Sequence, residues 1–197
     1  MDNTTTAQEI KGYDYGQSEP SPVKLADLEL LKATVLFTPA DEESLRKAGE
    51  ILSDQANKVV NIWYEMIGGH PHLLQYFSRN NMANLDYLTA VQHRFRQWVK
   101  DICFRPFDQA WLNYQHEIAL RHHRMKKNRT DDVETAPIVH YRYIIAFVYP
   151  MTATIKPLLA SKGHSPEEVE AMQQAWFKAV LLTATLLSYP YIRSGEF

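Results

Sequence analysis

Apolar residues recur every three or four positions along most of the chain, which is the spacing of a buried helix face. The pattern begins at Leu25, Leu28 and Leu31 and continues, with interruptions, to Leu187. Only 7 of the 197 residues are glycine, which argues against a β-rich fold with many tight turns. No stretch alternates apolar and polar residues over the length of a strand. The sequence therefore predicts an all-α protein.

Local start and stop residues predict where the helices begin and end. Thr38, followed by proline, begins a helix of about eight turns that stops at Gly68. The segment Ser165–Glu168 forms a capping box with proline at the first helical position. Between them we expect a long helix over Val139–Ala160, kinked near Pro150 because proline lacks a backbone donor.

The chain divides into an N-terminal arm and one domain. Residues 1–23 form the predicted arm, because Gly12, Gly16 and two prolines interrupt any helical period there. Residues 24–197 form the predicted single domain. Within it, the charged segment Arg124–Glu134 is expected to be an exposed loop.

Composition excludes several classes of protein. The single cysteine, Cys103, excludes an internal disulfide and cysteine-rich metal clusters. A net charge of -2 gives no basic field for nucleic acid, and no glycine-rich phosphate-binding motif is present. The polar start lacks a signal sequence, and no run approaches the roughly 18 apolar residues of a membrane span. We expect a cytoplasmic protein without nucleic-acid or membrane partners.

One of the eight histidines lies on an apolar helix face. His122 continues the stripe of Trp111 and Ile118, where an apolar side chain would be expected. Such an imidazole is either a satisfied core histidine or a ligand of something held in an apolar cavity. Large aromatic residues occupy several other predicted helices: Trp63, Tyr64, Phe95, Trp98, Tyr143 and Phe147. One imidazole and an apolar cage suit haem, whereas zinc needs three or four ligands.

Several segments together carry a family resemblance that spans nearly the whole chain. They are Gly12–Gly16, Trp63–Tyr64, Gly69–Phe77, Ala110–Ile118, Leu120–Arg124, Tyr149–Pro157 and Ala175–Lys178. These segments resemble the protoglobins, single-domain haem proteins of the globin superfamily that are related to globin-coupled sensor domains. The resemblance implies a globin-like helical fold with an extra N-terminal helix and arm.

The resemblance also implies roles for individual residues. His122 matches the proximal iron ligand of the family, and Tyr64 matches the distal tyrosine near the bound gas. Trp63 matches the neighbour of that tyrosine, and Phe95 matches the aromatic residue over the distal haem face. Arg94 matches a haem propionate partner. Phe147 and Met151 match the helix that lines the haem. Val91, one helical turn before Phe95, and the aromatic Trp98 are the remaining expected cofactor-binding positions.

The resemblance implies a haem b protein that reversibly binds O₂, CO or NO at a five-coordinate iron. It also implies a homodimer formed through the last two helices. Two alternatives stay open at this point. One is a haem enzyme with peroxidase, nitrite-reduction or carbene-transfer activity, and the other is a gas sensor that acts through a separate partner. A helical adaptor without a cofactor is a third and simpler interpretation.

Overall fold

Long helices form most of the structure, as the apolar spacing predicts. The computed structural model describes residues 10–79 and 82–197. Its α-helices are α1 (Leu25–Thr34), α2 (Pro39–Asp54), α3 (Ala56–Gly68), α4 (Pro71–Leu74), α5 (Leu85–Phe104), α6 (Gln109–His122), α7 (Tyr141–Ala153), α8 (Lys156–Leu159) and α9 (Pro166–Leu187). Among the described residues, strand pairing is limited to the short antiparallel pair β1 (Ser78–Arg79) and β2 (Met82–Ala83). The all-α prediction is confirmed; the first nine residues of the predicted arm lie outside the described residues.

Side-chain caps fix the starts of two long helices. The Asp108 carboxylate accepts a hydrogen bond from the Trp111 backbone N–H at 2.9 Å, which begins α6. The Ser165 hydroxyl accepts from the Glu168 N–H at 3.2 Å, and the Glu168 carboxylate accepts from the Ser165 N–H at 3.1 Å. These bonds satisfy backbone donors that have no partner within the helix. The capping box predicted at Ser165–Glu168 is confirmed.

Two of the long predicted helices are each divided in the structure. The helix expected between Thr38 and Gly68 is interrupted at Gln55, which separates α2 from α3. The prediction of a single helix over Val139–Ala160 was wrong, because α7 ends at Ala153 and two residues separate it from the start of α8 at Lys156. Pro150 stays inside α7. The helix stops instead where Pro157 would have to donate to the carbonyl of Ala153, four residues back.

The last helix, α9, lies in the centre of the fold. It packs against α2, α6, α7 and α8, and it also touches α5. Trp176, near its middle, is fully buried and stacks on Trp63 of α3 at a ring-centroid distance of 6.4 Å. Burial of a large apolar side chain such as that of Trp176 contributes about 1.5–3 kcal/mol to stability.

One described segment, Tyr141–Lys162, is long and apolar enough by length and composition to cross a membrane. The expectation that no apolar run approaches the length of a membrane span does not hold for this segment. The segment is not one continuous helix, because it is interrupted between α7 and α8, and α7 packs against α9. A core helix can have the same composition, so the feature is weak support for a membrane span.

Candidate functional site

A cavity of about 260 Å³ lies between α3, α5, α6, α7 and α9. An ordered water needs only about 10–15 Å³ on the same measure, so the space is suited to a much larger ligand. Most of its walls are apolar side chains, among them Ile67, Leu73, Phe77, Val91, Phe95, Trp98, Ile118, Phe147, Val148, Met151 and Val180. The shape and chemistry of the walls fit an apolar ligand with few polar contacts.

His122, at the end of α6, contributes an imidazole to the cavity wall. Its Nδ1 lies 2.8 Å from the carbonyl oxygen of Ile118. Because a carbonyl oxygen only accepts hydrogen bonds, Nδ1 carries the hydrogen and Nε2 keeps its lone pair. Burial lowers the pKa of His122, which favours the neutral ring. A neutral imidazole with a fixed tautomer is the form that ligates a metal, so the residue fits an iron ligand.

Tyr64 of α3 lines the same cavity. Its ring meets Phe77 edge-on at 5.6 Å and Phe95 edge-on at 6.3 Å between centroids. Burial raises the pKa of Tyr64 well above its usual value of 10, so its hydroxyl stays protonated. No described residue forms a hydrogen bond with this hydroxyl. It can therefore donate to a polar ligand inside the cavity.

The structure brings most of the other sequence-predicted site residues to this cavity. Those that line it are Val91, Arg94, Phe95, Trp98, Phe147 and Met151. Trp63 lies behind the wall instead, where only 1% of its surface is exposed. Its ring packs on Phe95 at 4.9 Å between centroids, and its Nε1 donates to the Thr154 hydroxyl at 2.8 Å. Trp63 supports the distal wall without forming the cavity surface.

Charged residues line the cavity near one another, and we call this part its charged end: Arg94, Arg121, Lys126, Lys127 and Asp131. Two guanidinium nitrogens of Arg94 donate to the two carboxylate oxygens of Asp131, at 3.0 and 2.6 Å. The Arg94 Nη1 also donates to the backbone oxygen of Lys11 at 2.9 Å. The guanidinium predicted to hold a propionate thus already holds a carboxylate from this chain.

The N-terminal arm packs against the same end. Arg121 of α6 donates to the backbone oxygen of Gly12, and it forms an ion pair with Asp14 at 3.0 Å. The Tyr13 ring meets the Tyr114 ring edge-on at 5.4 Å, and Tyr114 lines the cavity. The described part of the arm therefore closes the charged end by contacts to α6.

Comparison with known proteins identifies the family. The protoglobin family model matches residues 24–197, which is most of the chain. This chain belongs to the protoglobin family. The fold is consistent with that membership: the globin domain of a Geobacter sulfurreducens globin-coupled sensor matches with a TM-score of 0.64 at 14% sequence identity, and the match covers 84% of this chain and 97% of that domain. A comparison with curated proteins finds no match.

Membership in the protoglobins supports a role in haem and gas binding. The cavity described above fits that role, because it combines a single lining imidazole with apolar walls. The resemblance inferred from the sequence is thus confirmed at the level of the family and of the globin-like fold.

Sequence reasoning missed several residues of this protoglobin's cavity. The prediction of an exposed loop was wrong for Lys127, which is buried and lines the cavity. Positive φ angles of 75° at Asn128 and 49° at Asp132 turn this loop back on itself, which the composition did not indicate. Tyr87 also lines the cavity. Its position one helical turn before Val91 was a usable indication, because the two share one face of α5.

Proposed function

We propose that this protoglobin is a haem b protein that reversibly binds O₂, CO or NO, with His122 as the proximal ligand. The observation that carries the proposal is the imidazole of His122 in the cavity wall. Its Nδ1–H donates to Ile118, and no described residue hydrogen-bonds to its Nε2. When bound, haem supplies an iron with an open coordination position for a diatomic gas.

The donor set supports haem over a metal ion bound by protein side chains alone. Across residues 10–79 and 82–197, no three His, Cys, Asp or Glu side chains cluster as a multi-ligand metal site requires. One lining histidine and apolar walls are what a porphyrin would need from the protein, because the macrocycle itself would supply most of the iron ligands.

Side chains of the cavity wall would act on a bound gas. The protonated hydroxyl of Tyr64 would be one lining group that can donate a hydrogen bond to a ligand with partial negative charge, such as O₂. Phe95, Phe147 and Met151 supply apolar surface that excludes water from the same space. Exclusion of water slows oxidation of ferrous iron and prolongs the gas-binding form.

Absorption spectroscopy of the purified chain reconstituted with haem tests this proposal. The expected result is a stoichiometric complex, with a ferrous spectrum of five-coordinate, histidine-ligated iron and a shifted Soret band on addition of CO. Retention of only weakly held haem, with the spectrum of free haem in detergent, would contradict the proposal.

We further propose that the protein forms a homodimer through α7 and α9. Three large apolar side chains on these helices are exposed: Tyr149 by 78%, Ile145 by 40% and Phe177 by 38%. Exposed apolar surface on neighbouring helices is typical of an interface.

Light scattering of wild-type protein and of Tyr149→Glu tests the dimer. The variant should halve the molar mass, because a carboxylate would be buried without a partner in the interface. Leu30→Glu on α1 is the matched control, since Leu30 is also exposed, and it should leave the mass unchanged. A monomeric wild-type protein would refute the dimer.

A further inference from the structure

The charges at the charged end of the cavity do not balance. The cavity is lined there by four cations and one carboxylate: Arg94, Arg121, Lys126, Lys127 and Asp131. Arg94 is paired with Asp131. Arg121 and Lys126 share the carboxylate of Glu117, at 2.8 and 2.7 Å, and Arg121 also pairs with Asp14. Within the described residues, Lys127 is left as the lining cation without a carboxylate bonded to it.

Neutral oxygens hold the ammonium group of Lys127 in place. Its Nζ donates to the hydroxyl of Thr135 at 2.8 Å and to the hydroxyl of Tyr87 at 3.1 Å. The side-chain oxygen of Asn128 at 2.8 Å and the backbone oxygen of Tyr76 at 3.1 Å are also within hydrogen-bond distance. These acceptors satisfy the three hydrogens, but they do not cancel the charge.

Burial makes that uncompensated charge costly. Only 7% of the Lys127 surface is exposed, and a buried charge is stabilised chiefly by an opposite charge. Burial lowers the pKa of Lys127 to about 8, while Asp131 partly offsets this effect. The amine is still mostly protonated at neutral pH. The cavity wall thus carries a positive charge at one end and apolar side chains along its length.

We infer that Lys127 is the anchoring cation for an ionised carboxylate of the ligand in this cavity. The inference rests on the proposed function, in which the ligand is haem and the carboxylate belongs to a propionate. It adds a second cation to the expected partner Arg94, whose charge is already compensated by the carboxylate of Asp131. A carboxylate near Lys127 would compensate the buried charge of its ammonium group without breaking the ion pairs of Arg94, Arg121 or Lys126.

The alternative is that Lys127 only holds the loop in place. Its bonds join the loop residues Asn128 and Thr135 to Tyr76 and Tyr87, so its removal could weaken binding of any cavity ligand by loosening the wall. If the role is structural, removal of Lys127 should weaken the binding of a charged and an uncharged ligand equally. If Lys127 is an anchor, its removal should weaken the binding of the charged ligand alone.

Equilibrium titration with ferric haem and with its dimethyl ester, in which both propionates are uncharged, separates the two roles. Wild-type protein should bind haem at least tenfold more tightly than the diester. Lys127→Met should weaken haem binding about tenfold, abolish most of that preference and change diester binding less than twofold. Equal weakening of both ligands, or an unchanged preference for haem, would overturn the inference.

Arg124→Met is the matched control. It removes the same formal charge from the same loop, but Arg124 is exposed and does not line the cavity, so the preference for haem should persist. Loss of the preference in this variant as well would show that overall charge, and not Lys127, decides it.

Wild-type protein provides a test that does not depend on the folding of a variant. Calorimetry at pH 8.5 in two buffers of different ionisation enthalpy measures proton uptake. Binding of haem should be accompanied by uptake of a fraction of a proton by the protein, because a nearby carboxylate raises the pKa of Lys127. Binding of the diester should be accompanied by no proton uptake. Equal uptake with both ligands would also overturn the inference. Failure of haem to bind with a histidine-ligated spectrum would instead refute the proposed function.

Discussion

The apolar interior of the cavity and its charged end are built in different ways. The interior is lined by residues such as Tyr64, Phe95 and Phe147, each on the inward face of its own helix. The charged end depends on pairs that are distant in sequence: Arg94 and Asp131 lie 37 positions apart, and Arg121 and Asp14 lie 107 apart.

This difference assigns separate tasks to the two regions. Apolar burial is non-directional, so the interior specifies a ligand mainly by shape and tolerates changes of similar volume. Ion pairs are directional, and loss of one partner leaves a buried charge behind. The charged end should therefore be the less tolerant region. It should also fix the orientation of the ligand and the closure of the arm.

The largest effect on stability is expected when the buried ion pair is broken. Asp131→Asn keeps the shape of the side chain but leaves the Arg94 guanidinium, which is 11% exposed, without its carboxylate. We expect the free energy of unfolding to fall by about 3 kcal/mol, as for other broken buried pairs. Urea denaturation of the protein without haem measures this change.

The neighbouring residue Glu134 offers a matched control in the same loop. Its ion pair with Arg79 is exposed, so Glu134→Gln should cost less than about 1 kcal/mol. Equal losses of unfolding free energy in the two variants would show that burial does not increase the contribution of the Arg94–Asp131 pair to stability.

In the apolar interior, we expect a smaller effect that is confined to ligand binding. Tyr64→Phe removes the hydroxyl and preserves the ring contacts with Phe77 and Phe95. Loss of one hydrogen bond of about 1.4 kcal/mol corresponds to an O₂ dissociation rate about tenfold faster. Flash photolysis and stopped-flow mixing measure the rate.

CO provides the internal control for this variant, because it develops little negative charge and should dissociate at nearly the wild-type rate. Tyr149→Phe, on the exposed side of α7, should leave the dissociation rates of both O₂ and CO unchanged. An unchanged O₂ dissociation rate in Tyr64→Phe would show that the hydroxyl does not contact the gas.

The last expected effect is a change in the pH dependence of stability. Burial lowers the pKa of Lys127 from 10.5 to about 8, so between these values the unfolded chain binds more protons than the folded chain. Stability from this group therefore rises with pH in that interval, by at most about 1.4 kcal/mol per pH unit. The destabilising effect of the buried, protonated Lys127 amine is fully present at pH values below its folded-state pKa of about 8.

Urea denaturation between pH 7 and 9.5 compares wild-type protein with Lys127→Met. The wild-type protein should gain stability relative to the variant as the pH rises. Tyr87, beside Lys127, has its pKa raised to about 12 by burial and stays protonated in the folded state over this range. Parallel curves for the two proteins would mean that burial does not lower the pKa of Lys127.

The sequence could predict the interior better than the charged end. His122 and Phe95 follow from helical spacing and family resemblance, because a helix face is determined by nearby residues. Trp63, predicted as a cofactor-binding residue beside Tyr64, does not line the cavity. Adjacent helical residues differ by about 100° in direction, so Tyr64 faces the cavity while Trp63 packs behind it.

The charged end could not be predicted from local patterns. The burial of Lys127 depends on loop turns at Asn128 and Asp132, whose positive φ angles no local rule required. The division between α7 and α8 was also missed, because the proline at position 157 acts on a carbonyl one turn earlier. Such features depend on contacts or backbone geometry that periodicity does not record.

Ligation by His122 is the central claim, and replacement of this side chain by a free imidazole tests it most directly. His122→Gly should retain little of the five-coordinate ferrous spectrum, and millimolar imidazole should restore it by occupying the vacated space. His123→Gly, the neighbouring control, should keep the wild-type spectrum without imidazole. A wild-type ferrous spectrum in His122→Gly in the absence of imidazole would contradict the account.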